Sequence, residues 1–344
     1  MLMTENPLRQ YVARFIRRED LSRAEAAQFL DALLDENATD AQIAAGLVAL
    51  AVKGETVEEL AGMAQAMRAR ALHLNSRHQC FIDTGGTGSS RAKTFNVSTA
   101  AAFVIAGAGL PVAKHGNRAA SSKTGSADVL TALGVNVSSS SSVSEQCLNE
   151  IGICFMFAPL YHGATARVAA VRRELGVQTT FNLIGPLTNP AGAPRQIVGT
   201  SKEELVEPMA RVLALLGTER AWVVHGSGGL DEITLAGSTF VAEAKGGEVK
   251  TFEVEPNDFG YDAAEISQLH CDDAGSSARV IRDVLCGKRR DEARSLVVIN
   301  AAAALHVGGA ADDLRQAAKL AEKSIDGGGA FNKLEQLVNR TNAS

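Results

Sequence analysis

The sequence predicts a two-part α/β protein: a small N-terminal all-helical domain, then a large α/β domain with a mainly parallel central sheet. Three observations predict it. A chain of 344 residues exceeds what one hydrophobic core usually serves, which favours two unequal domains. Residues 1–75 carry helical apolar periodicity alone. From Cys80 onward, residues 80–344 change texture to short apolar runs that end in glycine and lead into helical patterns, the mark of strand-loop-helix units.

Within the first block four helix patterns follow one another, and three announce their starts with capping boxes at Ser22–Glu25, Thr39–Gln42 and Thr56–Glu59. Phe29, Leu33, Ile43, Leu47, Leu50, Leu60, Met63 and Met67 recur at helical spacing and predict one shared apolar seam. In the second block the expected strands are Phe81–Thr84, Val112–His115, Ile153–Ala158 and Trp222–His225, with further β material around Glu232–Val254. Expected helices are Ser98–Ala108, Ala127–Leu133, Ala164–Leu175, Glu203–Leu216 and Asp291–His306. The serine run Ser138–Ser142 reads as a solvated connector between a strand-like Val135-Asn136-Val137 and a helix beginning near Ser144. No solenoid repeat is visible.

Composition narrows the function classes. The chain is 46% hydrophobic and 21% charged, as in ordinary globular proteins, so disorder is not expected. A net charge of −5 gives no electrostatic reason to gather on nucleic acid or an anionic membrane, so neither partner is expected. Five scattered cysteines without a C-x-x-C indicate neither a disulfide framework nor a zinc cluster and suit a reducing cytoplasm. The opening residues lack the pattern of a signal peptide, and the least polar stretch, Ala100–Ala113, is shorter than the roughly 20 residues that cross a bilayer.

Four segments carry chemistry. Asp83-Thr84-Gly85-Gly86-Thr87-Gly88-Ser89-Ser90 leaves a strand and reaches a helix opening at Asn96-Val97-Ser98-Thr99. Bare glycines let backbone approach an anion, and hydroxyls with a helix start donate to phosphate oxygens. An ordinary tight turn has the same look, since the string is neither G-x-G-x-x-G nor a Walker loop. The second segment, Lys114 to Ser126, packs Lys114, His115, Arg118 and Lys123 among glycine, serine and threonine directly after a strand, and so dense a loop needs an anion. The third, His225-Gly226-Ser227-Gly228-Gly229-Leu230-Asp231-Glu232, sets two carboxylates side by side, apt for magnesium but alone compatible with a solvated turn. The fourth joins Arg172 on a helix to the apolar loop Phe181–Pro190; arginine can hold a carboxylate in a bidentate pair, or form a surface ion pair.

In order and spacing, Lys114–Leu130, Arg172–Gly176, Phe181–Ala191 and Gly229–Glu232 resemble the signatures of the anthranilate phosphoribosyltransferase family, and the resemblance runs from the N-terminal helices through Asn300–Leu305. It implies a homodimer joined through the helical side, an interdomain active site, and a helical domain that takes back a segment near 175–195. By position it implies that Gly86, Thr87, Gly88, Thr94, Asn96, Ser98, Thr99, Lys114 and Ser126 hold phosphoribosyl pyrophosphate. Gly86, Asn117, His162, Arg172 and Pro186 would line the anthranilate channel, and Ser98, Asp231 and Glu232 would serve two magnesium ions. The implied reaction gives N-(5-phosphoribosyl)anthranilate and pyrophosphate, a step of tryptophan biosynthesis. An aromatic amine is already nucleophilic at neutral pH, so no catalytic base is assigned; His115 and His162 are candidate proton acceptors, or neutral residues that orient the channel.

Two strings depart from the family pattern. Gly88 is followed by Ser89-Ser90 where Gly-Asp is usual, which removes a carboxylate near the ribose, and Pro159–Arg167, with Gly163-Ala164-Thr165, stands where a histidine-rich run and then His-Pro-Ala-Met are usual, so Gly163 and Thr165 would loosen and enlarge the channel wall. They leave open a relative acting on another aromatic amine; a non-catalytic nucleic-acid-binding relative is the remaining alternative.

Overall fold

The computed structural model describes residues 7–88, 94–118 and 124–343. Helices α1 (Leu8–Ile16), α2 (Arg23–Leu34), α3 (Asp40–Lys53) and α4 (Val57–Arg70) form the N-terminal helical domain. All three expected capping boxes are present: Ser22, Thr39 and Thr56 each accept from the backbone N–H three residues on, while Glu25, Gln42 and Glu59 return the bond. Each satisfies two donors that a helix start leaves orphaned, worth about 1 kcal/mol per cap. The predicted seam residues, Phe29 through Met67, are all buried.

The large domain is a seven-stranded sheet in the order β3-β2-β1-β4-β5-β6-β7. β1 (Ile82–Gly86), β2 (Val112–Gly116), β3 (Ile153–Phe157), β4 (Arg195–Gly199) and β5 (Arg220–Gly226) are parallel; β6 (Thr239–Lys245) and β7 (Glu248–Val254) close one edge antiparallel. Both residues of the β6–β7 turn, Gly246 and Gly247, have positive φ (59° and 86°), as the favoured two-residue hairpin requires. The helices are α5 (Val97–Gly107), α6 (Ser126–Ala132), α7 (Ser141–Gln146), α8 (Ala158–Tyr161), α9 (Ala166–Leu175), α10 (Thr180–Ile184), α11 (Val206–Leu215), α12 (Ala274–Leu285), α13 (Glu292–Val307), α14 (Leu314–Asp326) and α15 (Gly329–Asn342).

Alternation along the strands divides the core. Ile197, Trp222, Val224 and Val241 face the apolar cluster that holds α5 and α13, while Val198, Val223 and Ala242 face α11 and the cluster continuous with the helical domain. That second cluster also takes in Val168, Val171, Phe181, Ile184 and Leu187, because α9 packs on α2 and α3 and α10 on α3 and α4. Arg68, on the last turn of α4, donates to the carbonyls of Leu187 (2.7 Å) and Leu216 (3.3 Å), tying the helical domain to the loop after α10 and to the end of α11.

Two expectations change. Val135–Val137 is no strand: both valines are buried, but Asn136 N donates to Thr341 Oγ1 and Asn136 Oδ1 accepts from Ser138 N, so the backbone is spent on a turn. The helix after the serine run starts at Ser141, three residues earlier than expected, with Ser140 as its cap. Strand β4, between β1 and β5, was not foreseen.

Candidate active site

The carboxyl ends of β1, β2, β4 and β5 meet at one edge, and each ends in glycine. At β1 the chain leaves through Thr87, whose N–H donates to Gly199 O (2.8 Å) while its hydroxyl accepts from Ser201 N (3.3 Å). The opening of α5 lies opposite: Asn96 N donates to Ser277 Oγ (2.9 Å), Thr99 Oγ1 bonds Asn96 Oδ1 (3.4 Å), and Asn96 Nδ2 donates to Thr124 O (3.4 Å). Thr94 Oγ1 turns onto Phe95 O, 3.0 Å away. Ser126 begins α6 with its hydroxyl 3.5 Å from Asn117 O.

Lys114 is the centre of this cradle. It is 3% exposed, and its ammonium donates to Thr84 O and to Ser98 Oγ (3.4 Å). Burial lowers its pKa, opposed by Asp83 and Glu232. Asp83, itself 4% exposed, accepts from His115 N (3.1 Å) and Asn189 Nδ2 (2.7 Å), and burial raises its carboxyl despite Lys114. Asn189 also donates to Ala113 O (2.9 Å), so one buried amide links β2 to the apolar loop.

The carboxylate pair is brought to the same place. Glu232 Oε1 accepts from Ser98 N (3.1 Å), and desolvation, then the adjacent Asp231, push its carboxyl well above the usual range. Two carboxylates crowded beside one cation and a hydroxyl suit a hard divalent ion, whose charge would restore their ionised form. Among the described residues no cluster of three or more His, Cys, Asp or Glu could hold a metal by itself. The donor set therefore fits magnesium, which keeps waters and shares substrate phosphate oxygens, better than zinc.

His115 and His162 stand edge to face with ring centroids 5.2 Å apart. Burial holds His162 down to about 4, and burial with the His162 neighbour holds His115 down to about 3, so both are neutral at pH 7. Arg172 is half-buried on the last turn of α9, donates to Asn182 Oδ1 (3.0 Å), and lies 5.3 Å over the Phe181 ring, while its buried Nε has no partner. Asn117 is exposed and accepts from Arg118 N with its own Oδ1 (2.7 Å). Pro186 sits in the one-turn helix Gly185–Leu187 that continues α10.

Ser98 thus joins Lys114 to Glu232, and Thr99 is bonded to Asn96 at the opening of the same helix. Arg172 makes no hydrogen bond to Asn117, His162 or Pro186; it is tied through Asn182 to α10, whose end leads into Pro186. Of the predicted loops, Ser89, Ser90, Arg91 and Ala119–Lys123 lie outside the described residues. Gly163 is exposed, with open space where a Cβ would stand. Sequence reasoning missed Gly199 and Asn300. A Cβ on Gly199 would stand 1.7 Å from Asp231 O, so the carboxylate loop rests on bare backbone. Asn300 receives Ile233 N (2.9 Å) and donates to Ile233 O (2.8 Å), clamping the residue after Glu232. The Ile-Val-Gly run before Thr200 and an amide inside an alanine-rich helix were the available signals.

Residues 9–71 match the family model described as the helical bundle domain of a glycosyl transferase family, and residues 78–331 match that family's a/b domain. The anthranilate phosphoribosyltransferase of Moorella thermoacetica is 49% identical over 331 residues, covering 96% of this chain and 97% of its own. The crystal structure of the Thermus thermophilus anthranilate phosphoribosyltransferase superposes with a TM-score of 0.90 at 37% identity, covering 96% of this chain and 99% of that one. The Saccharomyces cerevisiae enzyme in complex with PRPP and Mg superposes with a TM-score of 0.89 at 27% identity over 100% of both chains. With both halves matched and the Ser98–Lys114–Glu232 junction in place, the chain belongs to the anthranilate phosphoribosyltransferase family.

Proposed function

We propose that this protein transfers the phosphoribosyl group of phosphoribosyl pyrophosphate to anthranilate, giving N-(5-phosphoribosyl)anthranilate and pyrophosphate in tryptophan biosynthesis. The observation that carries this reading is the junction of three segments distant in sequence, the start of α5, strand β2 and the loop after β5, where Ser98 N donates to Glu232 Oε1 and Lys114 Nζ reaches Ser98 Oγ. Lys114 meets an anionic oxygen of the donor substrate, and Gly86, Thr87, Gly88, Thr94, Asn96, Thr99 and Ser126 surround its phosphates and ribose. Ser98, Asp231 and Glu232 would hold magnesium, two ions, which would supply countercharge to the departing pyrophosphate. Arg172 takes the carboxylate of anthranilate, and Asn117, His162, Gly86 and Pro186 line its channel. The neutral His115–His162 pair orients the channel without adding charge beside a sugar that turns cationic as pyrophosphate leaves. Holding amine and sugar face to face then contributes most of the rate.

The same reading places the division at 1–75, with a returning segment at 175–195, and at 80–344; the packing of α9 and α10 on α2, α3 and α4 supports it. It makes the protein a cytoplasmic homodimer; no helix among the described residues is long and apolar enough to cross a membrane. The test is anthranilate fluorescence with phosphoribosyl pyrophosphate and magnesium. Turnover that stops on chelation and returns with magnesium is expected; steady fluorescence with no pyrophosphate released refutes the reading.

A further inference from the structure

Arg172 is held in an unusual way for a half-buried guanidinium. Among the described residues no carboxylate lies within salt-bridge distance of it. Its partners are instead an amide oxygen and an aromatic face: Asn182 Oδ1 at 3.0 Å and the Phe181 ring at 5.3 Å. Asn182 Oδ1 is also the acceptor for Thr179 N (3.1 Å) at the start of α10, so both of its lone pairs are used. Two donors converge on this atom, which fixes which end of the amide is the oxygen. Gly176, left-handed at φ 63°, ends α9 and turns the chain so that α10 brings these two residues back beneath the arginine.

The chemistry of these partners decides what they do. An aspartate at 182 would cap α10 equally well and bind Arg172 more strongly, yet it would neutralise the guanidinium. An amide fixes the plane of the arginine and leaves its charge available. We infer that Asn182, with Phe181 beneath, is a positioning residue that orients Arg172 for the acceptor's carboxylate while keeping it uncompensated. This deepens the reading above and rests on Arg172 being the carboxylate site.

Asn182→Asp separates positioning from capping. Positioning through neutrality predicts that N182D keeps the melting temperature within a degree or two of wild type, raises KM for anthranilate at least tenfold, and leaves kcat and the KM for phosphoribosyl pyrophosphate within about twofold. Asn182→Ala loses the cap, so it melts earlier, but its KM for anthranilate rises less than that of N182D because the charge is still free. A purely structural role predicts the reverse order, with N182D like wild type, and that result overturns the inference. If N182D does not fold, Phe181→Leu keeps apolar volume and removes the ring; an unchanged KM for anthranilate there overturns it as well. Arg172→Ala is run in parallel. An impaired R172A with a normal N182D sinks this inference alone, whereas an R172A with wild-type KM for anthranilate sinks the placement of the carboxylate on Arg172 and this inference with it.

Discussion

Gly199→Ala tests how the carboxylate pair is held. A methyl at this position would stand 1.7 Å from Asp231 O and 2.6 Å from its carbonyl carbon, both backbone atoms that no rotamer change can move aside. A Cβ essentially never comes within 3.0 Å of such an atom, so the Asp231–Glu232 loop must retreat by roughly 1.3 Å or β4 must leave its register. Overpacking of this kind costs about 1–3 kcal/mol of stability. The larger effect is on function, because a misplacement of about 1 Å in an active site costs on the order of a hundredfold. The expected outcome is a kcat/KM about a hundred times lower, a higher magnesium concentration for half-maximal rate, and a modest fall in melting temperature. Initial rates across a magnesium series, with circular dichroism to verify folding, measure all three. A G199A variant that keeps wild-type kcat/KM and magnesium dependence refutes the claim that bare backbone at 199 seats the carboxylates.

Other perturbations follow from the same structure. Asn300→Leu leaves Ile233 N and O without their partners, each bonded now at 2.9 and 2.8 Å, and is expected to raise the magnesium requirement about tenfold in the same titration; an unchanged requirement removes Asn300 as the clamp. Lys53→Met strands Glu59, which is fully buried and bonded to Lys53 Nζ at 2.9 Å; about 3–5 kcal/mol should be lost in urea unfolding, and the Lys53→Met/Glu59→Leu double variant should recover only part of it, because Leu21 N and Thr56 N then lose their acceptor. His162 falls from an ordinary 6.5 to about 4 through burial, so between those values the unfolded chain binds a proton that the native state refuses. Its contribution is complete above pH 6.5 and is lost as pH falls toward 4, about 3 kcal/mol in all, and His162→Phe should flatten that limb of the stability curve.

What was legible in the sequence was what is local. The three capping boxes span four residues each, and their partners lie within the same turn, so the residues announce the structure without help from the rest of the chain. The seam of the helical domain and the strand-glycine-loop strings are local in the same sense. Strand β4 was hidden because its run, Arg-Gln-Ile-Val-Gly, begins with two polar residues; Arg195 is accepted in mid-sheet by pairing with Glu219 at 3.0 Å, a contact that only the fold supplies. Val135–Val137 misled for the opposite reason: its alternation suits a strand, but Thr341 claims its backbone from far along the chain. The binding loops were legible singly. Their junctions were not, since Ser98 and Glu232 lie 134 residues apart, Asp83 and Asn189 106, and Ile233 and Asn300 67.

Topology explains why those distant loops meet. From β1 the chain steps to β2 and then β3 on one side, and returns to place β4 on the other side of β1. The loops that leave β1 and β4 therefore diverge, and in open α/β sheets such a point of divergence leaves a crevice beyond the carboxyl ends of the strands. Here the register sets Gly86 opposite Gly199 at that point, and Thr87 N bonds Gly199 O across it. Side chains on these two residues would close the crevice: a Cβ on Gly86 would stand 2.9 Å from Gly199 O, and one on Gly199 would strike Asp231. The loop after β1 and the carboxylates after β5 thus meet across glycine, which is why Lys114 and Glu232 can share Ser98 as their common neighbour.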